Sequence, residues 1–323
     1  MVTLETANNA LKSFYLDAVT DALNKKTNPF LAKIESSANS VVGKEVKKLV
    51  RVGMNGGIGA GTETGALPTG GGNDYRQLTL PLKNLYGTIE ISDKAIRASA
   101  NSEGAFVNLL NDEMQSLIQS AKYNFGRMIF GDGTGKLAMV DIVNDGQFEM
   151  QSVKNLFEGM IVDVENEMGE MVDALRGCKI TNVDRVNKLV TLEKAGADLS
   201  VIDSGYSFYL NGSAGQEITG LSALFGDEDL YGQSSGFTAL SFNGIPVVVD
   251  RFCPTSTMYL LNTDDFKIHQ LCDWQWMEGE DGKILRQIPG KPVYTATLVK
   301  YAELMCTRPN GQGILLDIQT NIE

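Results

Sequence analysis

A glycine-rich stretch between two segments with the alternation of β-strands constrains the fold of this chain more than any other feature. Nine of the residues from 53 to 72 are glycine. The flanking segments, 44–52 and 75–92, interleave apolar with polar residues. Two such segments joined by a glycine-rich turn predict one long β-hairpin. Roughly ten paired residues in each arm would span about 33 Å.

The predicted hairpin lacks a second layer of its own. A two-stranded hairpin is only marginally stable in water, and nothing in its own sequence offers a layer to cover it. We therefore expect another molecule to hold it, which indicates obligate assembly. The candidate intersubunit contacts are the basic and aromatic residues of the arms: Lys44, Lys47, Lys48, Arg51, Tyr75 and Arg76. A solvated strand face would explain the basic residues equally well, and attraction to an acidic neighbour, such as another copy of this chain, is the functional alternative.

The clearest helix signal covers Ser102–Phe130. Apolar residues recur there every three or four positions, as the buried face of a helix requires. They are Phe106, Leu110, Met114, Leu117, Ala121, Phe125 and Met128. A helix of this length spans on the order of 40 Å, and we interpret it as an amphipathic core helix.

Residues 151–212 contain short strand-like segments separated by polar turns. The segments are 159–164, 178–183, 188–192 and 206–211, with a further one at 168–173. Short strands at this spacing are typical of a small barrel or sandwich, so we predict an inserted β domain. Elsewhere the sequence predicts helices at 4–23 and 220–225, strands at 244–249, 258–261, 293–305 and 314–318, and a helical or turn-like segment at 264–271. The fold class is α+β.

Composition excludes several classes of protein. The net charge is −12 and the pI is about 4.7, whereas proteins that grip DNA as their main task carry a basic footprint. Four scattered cysteines and a single histidine, His269, do not form the clusters that disulfide scaffolds and zinc sites need. No apolar run is long enough to span a membrane. We expect no cofactor and no metal.

Three features are typical of enzymes, but none has the complete set of residues that a catalytic site needs. Gly131–Lys136 resembles a phosphate-binding loop, but Leu137 stands where the loop needs Ser or Thr, and the segment follows a helix rather than a strand. Cys272 and His269 are a conceivable nucleophile pair. Acidic clusters at 165–170, 227–229 and 278–281 occupy polar, turn-like segments. The sequence therefore predicts a protein that is not an enzyme.

The order of the elements and several local motifs resemble one family. The motifs are TLETANNALKSFY at 3–15, NPFLAKI at 28–34, SFNGIPVVVDRFCP at 241–254, MYLLNTDDFK at 258–267 and RPNGQGIL at 308–315. Together with the order arm, hairpin, long helix, inserted β domain and strand-rich remainder, they resemble the major capsid proteins of tailed bacteriophages, which have the HK97-like fold.

The resemblance implies a division of the chain and a function. The parts would be an N-terminal arm (1–42), an extension loop formed by the long hairpin (43–95), a peripheral domain with its spine helix (96–150), the inserted β domain (151–212), an axial domain (213–285) and a return to the peripheral domain (286–323). The chain would assemble as pentamers and hexamers into an icosahedral shell around the phage genome. It would be found in the virion, and in the host cytoplasm during assembly.

The resemblance also implies partners, and the sequence departs from the family in two places. A portal and weakly contacted DNA are expected, and no membrane. Some members begin with a scaffolding segment of their own, whereas this chain starts almost at the arm helix, so a separate scaffolding protein is expected. Some members join subunits through a lysine near the loop tip, and residues 53–74 contain no lysine. The alternative function is a ligand-binding or enzymatic α+β module that uses the inserted β domain as its site.

Overall fold

The computed structural model describes residues 28–37, 41, 45–62, 65–66, 68–94, 105–144, 146–225, 241–242, 245–279 and 281–318. The predicted helix at 4–23 lies outside these ranges. The described residues combine one long and one short α-helix with many strands. The prediction of a mixed α+β class is therefore confirmed.

The elements follow one another in this order: β1 Glu35–Ser37, β2 Glu45–Val52, β3 Asp74–Pro81, β4 Lys83–Ser92, α1 Ala105–Phe130, β5 Lys136–Asn144, β6 Gln147–Met150, β7 Ile161–Glu165, β8 Cys178–Asp184, β9 Leu189–Glu193, β10 Ser207–Leu210, α2 Leu221–Phe225, β11 Ser241–Phe242, β12 Ile245–Pro246, β13 Met258–Leu260, β14 Phe266–Trp276, β15 Arg286–Gln287, β16 Val293–Cys306 and β17 Gly313–Leu315. Short 3-10 turns cover Leu31–Lys33, Asp173–Leu175, Leu199–Val201, Thr263–Asp265 and Pro309–Gly311.

The main sheet is built around β16. Strand β4 pairs with it antiparallel from Lys83 opposite Ala302 to Ser92 opposite Val293. Strands β14 and β15 also pair with β16 antiparallel, and β1 joins β14 in parallel. A sheet with one apolar face needs a covering layer, and α1 provides it.

Helix α1 lies on this sheet as its apolar spacing predicts. Met114, Phe125 and Met128 are buried in one cluster with Leu298 and Leu304 of β16. Leu117 and Ala121 pack against the same cluster. The helix occupies the predicted range from Ala105 onward, whereas the side chains of the predicted Phe106 and Leu110 lie outside the described residues.

The inserted β domain is a closed six-stranded barrel in the order β10-β5-β6-β9-β8-β7. Its first two strands are β5 and β6, so the sequence-based boundary at 150–151 falls inside the barrel. The predicted strand at 168–173 is reduced to a single bridge between Glu165 and Met171, because the chain turns sharply there. Phe148 and Phe208 meet edge to face in the barrel interior, with ring centroids 6.2 Å apart.

The phosphate-loop-like segment is the turn that enters this barrel. Gly133 and Gly135 have φ of +87° and +83°, and Asp132 accepts a hydrogen bond from the backbone of Thr134 at 2.9 Å. A Cβ at Gly135 would lie 2.6 Å from the carbonyl oxygen of Ser213 on the exit segment. These glycines therefore serve the close approach of two chain segments.

Two predictions in the C-terminal part need correction. The sequence predicts a helical or turn-like segment at 264–271, but β14 covers Phe266–Trp276. Its pairing with β16 shifts register near Cys272, and such bulges hide the period of two. The apolar run predicts a buried strand at 244–249; of its described residues, 245–249, Ile245–Pro246 is strand and Val249 is 89% exposed. A continuous apolar run is buried only where the fold covers both of its sides.

No helix among the described residues is both long and apolar enough to cross a membrane.

Replacing Gly220 by alanine is expected to destabilise the folded subunit by roughly 1–3 kcal/mol. A Cβ at this position would lie 2.3 Å from the carbonyl oxygen of Met128 and 2.5 Å from that of Ile129, at the end of α1. Denaturant unfolding of the unassembled subunit measures the loss. Gly72→Ala is the control, because a Cβ there meets nothing within 4 Å. Equal stability of both variants would contradict the close packing of Gly220 against the end of α1.

Candidate assembly interface

Strands β2 and β3 form a sheet of their own. They pair in register from Glu45 opposite Pro81 to Val52 opposite Asp74. Strand β3 then continues through Leu82 into β4, so one arm of the hairpin is rooted in the main sheet. The predicted hairpin is therefore present, and it extends from the edge of the sheet.

The hairpin has two unlike faces, because residues directly opposite each other share a face and the faces alternate along each strand. The inner face carries Val46, which is buried, and Leu78 and Leu80, which are half-buried. On this face Lys48 lies near enough to His269 of β14 to help lower the histidine's pKa, after burial and Lys267. The inner face therefore belongs to the subunit's own packing at the hairpin base.

The outer face is exposed along its whole length. We define it as Lys47, Leu49, Arg51, Tyr75, Gln77 and Thr79, with Leu49 opposite Gln77 and Arg51 opposite Tyr75. Leu49 is 70% and Tyr75 is 58% exposed. Leu49 and Tyr75 lie diagonally across the two strands, so an exposed aliphatic side chain and an exposed aromatic ring share this face.

The six predicted contact residues divide between these faces. Lys47, Arg51 and Tyr75 lie together on the outer face, whereas Lys48 and Arg76 lie on the inner face. Lys44 lies outside the described residues. Within the part of the chain that the structure describes, Lys47 pairs with Glu45 at 3.6 Å, and the other exposed cations of the hairpin have no carboxylate within 4.0 Å. That the six residues contact a second subunit remains a prediction.

The tip of the hairpin depends on glycine for a close approach of its two sides. A Cβ at Gly71 would lie 2.5 Å from the backbone nitrogen of Gly57, so neither position has room for a side chain. Asn55 accepts a hydrogen bond from the backbone of Gly57 at 2.9 Å. Met54 and Ile58 are 90% and 84% exposed. The tip therefore adds two further apolar side chains to the exposed surface.

A buried carboxyl group lies in the main sheet close to the hairpin base. Glu303 of β16 lies directly opposite His269 and accepts hydrogen bonds from the backbone of Thr219 at 2.7 Å and Leu304 at 3.0 Å. Burial raises the pKa of Glu303 to about 7, although these hydrogen bonds and Lys83 oppose the shift. The folded subunit thus holds this proton more tightly than the unfolded chain does.

Glu303 is expected to make subunit stability fall as pH rises from about 4.5 to about 7. Below this window both states are protonated, and above it the folded state carries a buried charge that the unfolded chain solvates. Glu303→Gln keeps the acceptor oxygen and removes the charge, so it should stabilise the subunit by roughly 1–3 kcal/mol at pH 8 and much less at pH 5. Urea unfolding of both proteins at the two pH values measures this. The same gain in stability at both pH values would contradict a raised pKa of Glu303.

The described interior of the barrel is occupied by side chains. These side chains are apolar, and a small barrel packed in this way has no volume for a ligand. Its buried carboxylate, Asp163, accepts hydrogen bonds from Gly177, Asn211 and Gly212 at 2.7–2.8 Å, which gives it a structural role. Among the described residues no cluster of three His, Cys, Asp or Glu side chains could hold a metal ion. The packed interior therefore gives no support to a ligand site inside the barrel, whereas the barrel surface carries an open cavity lined by Asn144, Glu149, Val186, Asn187, Lys188 and Leu189.

Several solved capsids are similar to this chain in structure. The capsid of cyanophage A-1(L) shares 12% identity over 91% of this chain and 93% of its own, with a TM-score of 0.43. The capsid of a native GTA particle shares 12% over 89% of each chain, with a TM-score of 0.40. The capsid of Myoviridae phage XM1 shares 11% over 88% of this chain and 89% of its own, with a TM-score of 0.40. All three are capsids.

No protein-family model matches the chain, and no curated protein matches it in sequence.

Two exposed apolar residues escaped the sequence prediction. The sequence places Leu49 in a strand but not on a contact surface, although on its own face of the strand it stands between Lys47 and Arg51. Met168, which is 79% exposed on a barrel turn, stands between glutamates in a segment that was interpreted as a solvated loop. In both cases the available signal was an apolar residue among charged ones.

Proposed function

We propose that this chain is a major capsid protein, which assembles as pentamers and hexamers into the icosahedral shell that encloses a phage genome. The observation that carries the proposal is the hairpin, a two-stranded sheet whose exposed outer face carries Leu49 and Tyr75 among charged and polar residues. Nothing in the described part of one subunit satisfies that face.

The energetics of the hairpin support an obligate neighbour. Ordering each residue costs about 1–2 kcal/mol of backbone entropy, and a ladder hydrogen bond returns only about 0.5–1.5 kcal/mol net. A neighbouring subunit lying under the hairpin could add an interface of about 1,000 Å². Many such contacts would close a shell cooperatively.

The proposed parts of the shell protein follow the sequence resemblance, with the barrel extended. Residues 1–42 would be the N-terminal arm, 43–95 the extension loop, 96–135 and 286–323 the peripheral domain, and 213–285 the axial domain. The inserted domain would cover 136–212. The pairing of β16 with β4 beneath α1 supports the return of the C-terminal residues to the peripheral domain.

The proposed partners are other copies of the chain, a separate scaffolding protein, a portal and weakly held DNA. The net charge of −12 suits an inner wall that confines DNA without gripping it, because tight DNA binding needs many cations on the phosphates. Assembly would take place in the host cytoplasm, and the mature product would be the virion.

Electron microscopy of the purified protein, alone and together with its scaffolding partner, tests the proposal. The expected particles are closed shells or their pentameric and hexameric capsomers. A protein that remains monomeric under all assembly conditions, including with the partner, would contradict it.

The shell is expected to lack covalent cross-links through the loop tip. Residues 53–74 contain no lysine, and the nearest ones, Lys48 and Lys83, lie on the strands away from the tip. Boiled particles on a denaturing gel should therefore give one band near 35.0 kDa. A ladder of heavier bands would contradict this prediction.

A further inference from the structure

We infer that the outer face of the hairpin docks on the barrel of a second copy of this chain, at the turn that carries Met168. This inference rests on the proposed function and adds to it the identity of the surface that covers the hairpin. The two surfaces are complementary in charge and in apolar content, and in one subunit both are exposed.

On the outer face, charged and apolar side chains alternate along β2. Lys47, Leu49 and Arg51 follow one another on β2 with one residue between each, so the two cations stand about 13 Å apart with an apolar side chain between them. Four of the six charged residues on β2 and β3 are basic. Two of these four, Lys47 and Arg51, lie on the outer face, and Lys47 is paired with Glu45 at 3.6 Å. Arg51 is therefore the cation of this face that is left for a partner.

The barrel carries the opposite charge. From 136 to 212 the chain has 13 acidic and 7 basic residues, a formal charge of −6, which is half of the chain's −12. Glu167 and Glu170 lie on the turn after β7 on either side of Met168, and all three are exposed. Within the described residues neither glutamate has a cation within 4.0 Å.

This turn holds Met168 outward in a fixed position. Asn166 accepts hydrogen bonds from the backbone of Met168 at 3.0 Å and of Glu170 at 2.9 Å, and Gly169 has a φ of +81°. The side chain of Met168 is 79% exposed among the described residues. Methionine is adaptable in shape and common at protein contact surfaces, which suits a site for Leu49 and Tyr75.

A contact between two different surfaces of the same chain is head-to-tail, and head-to-tail contacts close into rings when the rotation allows. The inferred contact therefore has the symmetry that capsomers require. Electrostatic complementarity would also speed and orient the first encounter.

Charge reversal with rescue tests the contact. Arg51→Glu should lower the yield of sedimenting shells about tenfold, and so should Glu167→Arg. Combining the two should restore most of the yield, because the charges again attract. Glu193→Arg is the matched control: Glu193 is also an exposed glutamate of the barrel but lies on β9, so it should not rescue Arg51→Glu. Circular dichroism checks that each variant is folded.

A cysteine pair tests the same contact directly. Shells of the Leu49→Cys, Met168→Cys protein should form intersubunit disulfides on oxidation, whereas Leu49→Cys with Val186→Cys should not, although Val186 is 90% exposed on another barrel turn. If shells form normally but neither rescue nor cross-link appears, the docking inference is wrong and the capsid function stands. If the wild-type protein forms no shells at all, the proposed function itself fails.

Discussion

Deleting residues 55–72 is expected to abolish closed shells while leaving a folded, soluble subunit. The deletion joins Met54 to Asn73, so β2 and β3 remain connected by the three residues Gly53, Met54 and Asn73. A three-residue loop that contains glycine closes an antiparallel hairpin without strain. The shortened hairpin can therefore still fold, but it loses the reach and the exposed apolar side chains of its tip.

The expected effect is large because the contact repeats at every subunit of a shell. A loss of even 1.4 kcal/mol at each contact weakens each one about tenfold, and closure needs many of them at once. Sedimentation and electron microscopy of the deletion variant measure the outcome, and its melting temperature shows whether the subunit is intact. Normal shells from a stable deletion variant would mean that the tip contributes nothing to assembly.

A fragment of residues 132–216 is expected to fold alone, whereas a fragment of residues 151–212 is expected not to. The longer fragment contains all six strands of the closed barrel. The shorter one lacks β5 and β6, which leaves β9, β8, β7 and β10 as an open sheet with two bare edges. It also removes Phe148 and Met150 from the interior, and each lost core side chain of this size costs roughly 2–5 kcal/mol.

Amide-proton NMR distinguishes the two fragments. The longer one should give a dispersed spectrum and cooperative unfolding, and the shorter one the narrow spectrum of an unfolded chain. A folded 151–212 fragment would show that β5 and β6 are accessory to the barrel. An unfolded 132–216 fragment would show that the barrel needs the main sheet, for example through Lys83 of β4, which donates a hydrogen bond to the carbonyl of Gly215 at 2.9 Å.

Much of this architecture could be predicted because its signals are local. The spacing of Met114, Leu117, Ala121, Phe125 and Met128 is the spacing of a helix face, and the helix is present with those residues turned to the core. The glycine-rich stretch predicted the hairpin, because only glycine permits the close approach of Gly57 to Gly71 at the tip.

The failures arose where burial or register depends on distant parts of the chain. Strand β14 was missed because its pairing with β16 shifts between Gln270 and Cys272 and again before Gln275, and each shift breaks the alternation. Val249 was expected to be buried because it ends an apolar run, but it is exposed. Apolar sequence alone does not tell whether another layer covers a segment.

The sequence predicted only part of the candidate interface, because the face on which a strand residue lies depends on the register of the hairpin. Charge and aromaticity selected Lys47, Arg51 and Tyr75, which share the outer face. Lys48 and Arg76 have the same chemistry but stand one residue out of phase, so they lie on the inner face. Only the register of the hairpin separates the two groups.

Hydrogen exchange of the β2 and β3 backbone amides tests the central claim that a neighbouring subunit completes the hairpin. In unassembled subunits these amides should exchange much faster than those of β16, since their two-stranded ladder has little to protect it. In assembled shells their protection should approach that of β16, and mild proteolysis within residues 53–74 should become slow. Equal protection of the hairpin in both states would mean that each subunit satisfies its own hairpin, and the physical case for obligate assembly would be contradicted.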